Sequence, residues 1–192
     1  PDELPALAAD SGGRITVIGM EVRNEDSVRA AAAQVGGLDL VVCNAGTLNA
    51  RGGLTDPGHT PENIAESLMT NIAGVFFTAR HFAGHLKGSA APRIAVISSQ
   101  MGSSERAGTT APIYRATKAA ATNLARSMAL ELADDGIAVG AYHPGWVQTD
   151  MGGAEAAITV EESAEGLLQR FAALSPATSG VFETYQGEKM PF

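Results

Sequence analysis

Short runs of β-branched and aliphatic residues alternate with alanine-rich segments along the chain, and this alternation limits the possible fold more than anything else in the sequence. The runs at 14–22 (RITVIGMEV), 38–43 (LDLVVC), 93–98 (RIAVIS) and 137–142 (IAVGAY) read as strands, with a less regular one at 180–185 (GVFETY). The central runs are almost continuously apolar, as parallel strands covered on both faces are. Between them lie helices with recognisable ends. Asn24 is placed to cap EDSVRAAAAQV, and Gly36 to follow its last turn. Thr60 and Pro61 open a long helix running towards Lys87, and Thr159 with Glu162 forms a capping box ahead of SAEGLLQRFAAL. This order predicts an α/β fold: a doubly wound parallel sheet with right-handed crossovers, in one domain spanning 1–192.

Composition agrees with that reading and excludes others. A chain of 192 residues, 45% hydrophobic and 18% charged, can bury a sizeable core. Its net charge of −8 and pI near 4.9 argue against nucleic acid or an anionic membrane as partner. The single cysteine, Cys43, cannot form an internal disulfide and reads as a buried strand thiol, which fits a reducing, cytoplasmic setting. No stretch approaches the roughly 18 consecutive apolar residues of a membrane helix, and no basic segment precedes an apolar one at the start. Neither a membrane span nor a signal peptide is expected. No repeat, low-complexity linker or charge block marks a domain boundary.

In an open α/β sheet, ligands bind beyond the carboxyl ends of the strands. Asn44-Ala45-Gly46 follow one such end, Ser98-Ser99 a second, and His143-Pro144-Gly145-Trp146-Val147-Gln148-Thr149-Asp150 a third. Any one of these alone reads as a turn. Three on the same edge point to a site with room for close approach to the backbone and with hydroxyl partners.

Just after the Ser98-Ser99 end comes a strong helical pattern at 111–132 that carries Tyr114 and Lys118, one turn apart on one face. A tyrosine hydroxyl is too weak an acid to exchange protons readily at neutral pH, and a neighbouring ammonium would lower its pKa. That pairing makes Tyr114 a candidate general acid/base. The spacing is not sufficient by itself, because Tyr185 and Lys189 reproduce it in YQGEKMPF, where Gly187 and Pro191 forbid a stable helix. Context selects Tyr114.

NAG after a strand (Asn44 to Gly46), Asn71 inside LMTNIAGVFFTARH, ISS and YRATK together resemble the short-chain dehydrogenase/reductase family. HPGWVQTDMGG and the closing SGVFETYQGEKMPF are similar to its C-factor-like and carbonyl-reductase-like members. The motifs stand in the family's order, and the resemblance covers the whole sequence. It implies a Rossmann-type fold and an NAD or NADP cofactor. It implies Tyr114 as proton donor to a carbonyl, Lys118 as the group lowering its pKa and binding the nicotinamide ribose, and Ser99 on the substrate oxygen. Asn71 would hold a water linking Lys118 to solvent. Asn44, Ala45 and Gly46 would line the cofactor cleft, and Pro144, Gly145, Val147 and Thr149 would meet the nicotinamide end. Glu21 and Val22 would lie near the adenine. A small carbonyl or alcohol substrate and a homodimer or homotetramer follow from the same resemblance, with Ala119, Ala121 and Ala125 small enough for close contact between subunits.

Two departures qualify it. Ser99 lies fifteen residues before Tyr114, two more than usual, with the extra length in QMGSSERAGTTAP; Ser98 and Ser103 are alternative serines. The family also opens with a strand, a Gly-rich phosphate turn, a helix and a second strand, about 35 residues in all. No G-x-G-x-x-G turn occurs in this sequence, whose first residues look like the helix after that unit. The expectation is that the complete protein carries the unit upstream; the rival is a truncated chain with weakened cofactor binding.

His59, His81 and His85 have no convergent partners and read as surface or helix residues, not metal ligands. His143 either lines the cleft or is structural. The segment 145–158, with Trp146, Asp150 and Met151, reads as a substrate cover. The sequence reading is therefore an NAD(P)-dependent oxidoreductase. A non-catalytic dinucleotide-binding signalling or scaffold protein is its alternative, and a sugar epimerase or dehydratase is disfavoured for want of a longer substrate domain.

Overall fold

The computed structural model describes residues 3–192. Its centre is a parallel sheet of four strands in the order β1-β2-β3-β4: Leu40–Cys43, Arg93–Ile97, Ala138–His143 and Phe182–Thr184. Leu40 pairs with Arg93, Arg93 with Ala138, and Ala141 with Phe182, so the strand ends stay level and their carboxyl termini share one edge.

Successive side chains on β2 point to opposite faces. Ile94 and Val96 enter a core with Val41 and Cys43 of β1, Val139 and Ala141 of β3, and the helices α2 (Glu25–Ala32), α4 (Gly74–Phe82) and α5 (Pro112–Glu131). Ala95 and Ile97 face the other way, with Tyr142, towards Phe171 on α6 (Val160–Ala173). Ile94, Val96 and Val139 are fully buried, each worth about 1.5–3 kcal/mol of apolar transfer. Helices cover both faces, which is why β2 and β3 lack the polar alternation of a half-exposed strand. Arg93 fastens α6 by donating to the Phe171 carbonyl at 2.9 Å.

The start of the described chain forms a short helix, α1 (Glu3–Asp10). Residues 14–22, expected as a strand, join no ladder. A strand exists through its partners, and no described strand flanks this segment. Ile15, Val17 and Met20 are correspondingly exposed, while Ile18 packs on the core and Val22 lies against Gly74.

Asn24 caps α2 as expected, its side chain accepting from the amides of Asp26 and Ser27. Gly36 does not end that helix: α2 stops at Ala32 and Ala33 closes it in the right-handed region, so no left-handed glycine is needed. Thr159 accepts from the Glu162 amide at 3.2 Å, but the Glu162 carboxylate accepts from the Tyr185 hydroxyl at 3.0 Å. The rod opened by Thr60 is composite. α3 (Pro61–Leu68) runs into one π-helical turn, Met69–Ala73, then α4, then a 3-10 turn at Ala83–Leu86. Ala121 and Ala125 sit in the core under α5, so their small size serves packing against the sheet.

Candidate active site

A cavity of about 810 Å³ opens at the carboxyl edge of the sheet. The three strand ends supply its floor: Asn44, Ala45 and Gly46 after β1, Ser98 and Ser99 after β2, and His143 at the end of β3 with Pro144 to Val147 and Thr149 after it. Tyr114 and Lys118 line it from the first turns of α5. Ser163, Ala164 and Leu167 of α6 complete the far wall.

Ser99 leaves β2 in extended conformation and caps the 3-10 turn Gln100–Gly102, accepting from the Met101 amide at 3.1 Å. The same hydroxyl stands close enough to Tyr114 to favour its ionised form. The 3-10 turn touches α5 so closely that a Cβ on Gly102 would sit 2.7 Å from the Lys118 carbonyl carbon. This contact sets the register between serine and tyrosine. Ser98 is structural: its hydroxyl bonds Thr122 at 2.6 Å and the Lys118 carbonyl at 3.1 Å. Ser103 accepts from the Arg106 amide, away from Tyr114.

Lys118 is 4% exposed and donates to the Ile97 carbonyl at 2.9 Å. Burial pulls its ammonium down to about 8. Its nitrogen stands 5.7 Å from the centre of the Tyr114 ring. Tyr114 does not carry the lowered pKa expected from that neighbour. Burial pushes it up, and what pulls it back is the neighbouring Ser99 hydroxyl and the charge of Arg51. The phenol is therefore protonated at neutral pH, the state in which it can donate.

Asn71, wholly buried, stands behind the cavity wall. The π-helical turn places it, a device often found at functional sites. Both donors of its carboxamide are engaged, on the Thr47 carbonyl and the Thr117 hydroxyl at 2.9 Å each, and its oxygen accepts from the Thr47 amide at 2.8 Å. The side chain ties the loop after β1 to α5. A Cβ on Gly46 would come within 3.2 Å of Lys118 Nζ and 3.4 Å of Asn71 Oδ1, so glycine keeps the cradle open there.

Glu21 and Val22 do not join this cavity. Glu21 is exposed and binds Arg23 at 2.9 Å, whose hydrogen bonds hold its carboxyl down at about 2. Val22 packs on Gly74.

Arg51 was not singled out by sequence reasoning, because it sits in a Gly-rich loop with no periodicity. The structure brings it to the cavity mouth, where its guanidinium donates to the Met151 carbonyl of the covering segment. The loop is pinned to α5: the Ala111 amide donates to the carbonyls of Arg51 and Gly52 at 3.2 and 2.8 Å. Ala111 adopts φ 48° to do so, a left-handed conformation that costs a non-glycine about 1 kcal/mol. In the cover, Val147 bridges to Ile158, and Gly145 turns at φ 89° where a Cβ would strike Ile158. His143 is nine-tenths buried, its Nδ1 has no hydrogen-bond partner among the described residues, and burial drives its pKa down to about 4. His81 pairs with Glu25 and His85 with the Gly36 carbonyl; no cluster of metal-ligating side chains occurs among the described residues. None of the described helices is long and apolar enough to cross a membrane.

A parallel sheet with a cavity at its carboxyl edge, holding a serine, a tyrosine and a buried lysine, defines a dinucleotide-dependent class of α/β enzyme. The short chain dehydrogenase family matches residues 2–158. The chain belongs to that family, the NAD(P)-dependent oxidoreductases. It is 34% identical over 168 residues to the C-signal of Myxococcus xanthus, covering 86% of this chain and 100% of that protein. Over 156 residues it is 31% identical to cis-4-hydroxycyclohexanecarboxylate dehydrogenase of Sinomonas cyclohexanicum, covering 78% of this chain and 60% of that one. The fold superposes on the NADPH-bound carbonyl reductase from chicken fatty liver with a TM-score of 0.89 at 32% identity, over 100% of this chain and 82% of that one.

The nicotinamide end of such a cofactor is the part these residues can hold: an open glycine cradle at Gly46 and the buried ammonium of Lys118 border one volume.

Proposed function

We propose that this protein reduces a carbonyl carbon to a secondary alcohol, or runs the reverse, with Tyr114 as general acid/base. The observation that carries the reading is the convergence of Ser99, Tyr114 and Lys118 on one cavity wall. The bound nicotinamide supplies or accepts the hydride. Tyr114 donates its proton to the carbonyl oxygen as the carbon is reduced, so the oxygen leaves as a hydroxyl. The Ser99 hydroxyl donates to the same oxygen and stabilises the charge developing on it. Lys118, charged below about pH 8, holds the ribose and stabilises the phenolate left when Tyr114 gives up its proton. Asn44 to Gly46, Pro144, Gly145, Val147 and Thr149 line the cofactor side. Glu21 and Val22 keep only an adenine-side role outside this cavity, and the choice between NAD and NADP lies outside it too.

Tyr114→Phe should lower turnover of ketone, aldehyde and quinone substrates at least about a hundred-fold while leaving cofactor binding, followed by fluorescence titration, in place. Undiminished turnover would remove Tyr114 from the chemistry. The alternative, a dinucleotide-binding signalling protein, draws on the likeness to C-signal, and it requires cofactor binding with no turnover of any carbonyl. A cytoplasmic setting and a homodimer or homotetramer belong to the same proposal.

A further inference from the structure

The cavity differs in sign from the chain that builds it. The sequence carries a net charge of −8, yet no aspartate or glutamate among the described residues lines the cavity. Its charged lining groups, Lys118 and Arg51, are both cations. Lys118 is buried at the inner wall and occupied with the Ile97 carbonyl. Arg51 stands at the mouth, in no ion pair among the described residues. Its guanidinium has five N–H donors and uses one nitrogen, on the Met151 carbonyl. Asp56, the acidic residue nearest in sequence, is committed to its own loop: it accepts from the Gly52 amide at 2.6 Å and the Gly58 amide at 2.8 Å.

The backbone of Arg51 is fixed. Its carbonyl accepts from the Ala111 amide three residues before Tyr114, which anchors the main chain of Arg51 relative to the reacting hydroxyl, and the Met151 carbonyl holds the guanidinium. An anchored arginine with free donors, facing a volume with apolar walls, binds a carboxylate through two parallel hydrogen bonds.

We infer that Arg51 is a specificity residue that binds a carboxylate on the substrate, so that the preferred substrates are carbonyl compounds, or their alcohols, bearing a carboxylate remote from the reacting carbon. The inference rests on the oxidoreductase reading and adds the substrate class to it. The carboxylate end stays at the mouth on Arg51 while the carbonyl reaches Ser99 and Tyr114.

The test offers the full natural chain 4-carboxybenzaldehyde and methyl 4-formylbenzoate, which share ring and carbonyl and differ in charge. The kcat/KM ratio of acid to ester should exceed one, and should fall about ten- to a hundred-fold in Arg51→Gln, the range of a charge-assisted hydrogen bond. Arg51 also acts on the Tyr114 hydroxyl, a loss both substrates share, so the ratio cancels it. Arg80→Gln, which removes the same charge from the surface of α4 where it pairs with Glu25, should leave the ratio as it was. A ratio unchanged in Arg51→Gln, or lowered equally in Arg80→Gln, overturns the inference. Calorimetric titration of terephthalate into the cofactor-loaded protein reads the anion site without turnover. If neither aldehyde reacts but terephthalate binding weakens in Arg51→Gln, the oxidoreductase reading fails and the anion site stands. Equal terephthalate affinity in the two proteins removes the anion site even if both aldehydes are reduced.

Discussion

Placing Lys118 inside the protein has a measurable cost. The side chain is 4% exposed and its ammonium has one recorded partner, the Ile97 carbonyl. Burial lowers its pKa from 10.5 to about 8. Between those values the unfolded chain holds the proton and the folded chain releases it, so stability rises with pH across that window. The gap, at about 1.36 kcal/mol per pH unit, amounts to about 3 kcal/mol of destabilisation below pH 8. Lys118→Met keeps the apolar length and removes the charge. Loss of the hydrogen bond to Ile97 takes back about 1 kcal/mol. The variant should therefore be about 2 kcal/mol more stable than the parent at pH 7, while turnover is lost. At pH 9.5 most wild-type molecules fold with a neutral lysine, and the advantage should shrink to under about 1 kcal/mol. Equilibrium urea unfolding at the two pH values measures both numbers, and every other titrating group cancels in the comparison. A variant no more stable than the parent at pH 7, or an advantage independent of pH, would refute the burial argument.

Gly102→Ala drives a Cβ to within 2.7 Å of the α5 backbone, which has no flexible side chain to yield. It should cost about 1–3 kcal/mol in thermal unfolding and disturb the Ser99–Tyr114 register; an unchanged Tm would show that the contact is not tight. His143 has a folded pKa of about 4 against 6.5 in the open chain, so the stability of its neutral form is intact above pH 6.5 and is lost as pH falls towards 4. His143→Gln should lose about 3 kcal/mol less than the parent over that interval, read by acid unfolding, and parallel acid curves for the two proteins would count against this.

Much of this architecture is legible in the sequence because its determinants are local. Asn24, Thr60 and Thr159 cap helices with their own side chains, and the β-branched runs that become β1 to β4 are short and bounded. Tyr114 and Lys118 follow a strand end by an interval that geometry fills predictably. What escaped depends on partners distant in sequence. Residues 14–22 have strand composition, but a ladder needs a neighbour that composition does not report. The tyrosine pKa follows the depth of burial and the position of Arg51, neither of which spacing encodes. Arg51 itself is one of thirteen lysines and arginines until a loop docks on Ala111. The π-helical turn at 69–73 leaves no mark because it contains no glycine or proline to signal a break, and only the hydrogen-bond shift distinguishes it.

That single turn also separates two tasks within one rod. A regular helix has a single phase, so whichever stripe faces inward at one end dictates the stripe at the other. The extra residue at Met69–Ala73 resets the phase, letting α4 follow the demands of the sheet while α3 follows those of the loop beside the cavity. Substitutions upstream of the turn are thereby free to reshape the mouth without propagating into the packing of Val75, Ala79 and Phe82. The helix works as two independently adjustable parts joined at Asn71, the residue that keeps both in step with α5.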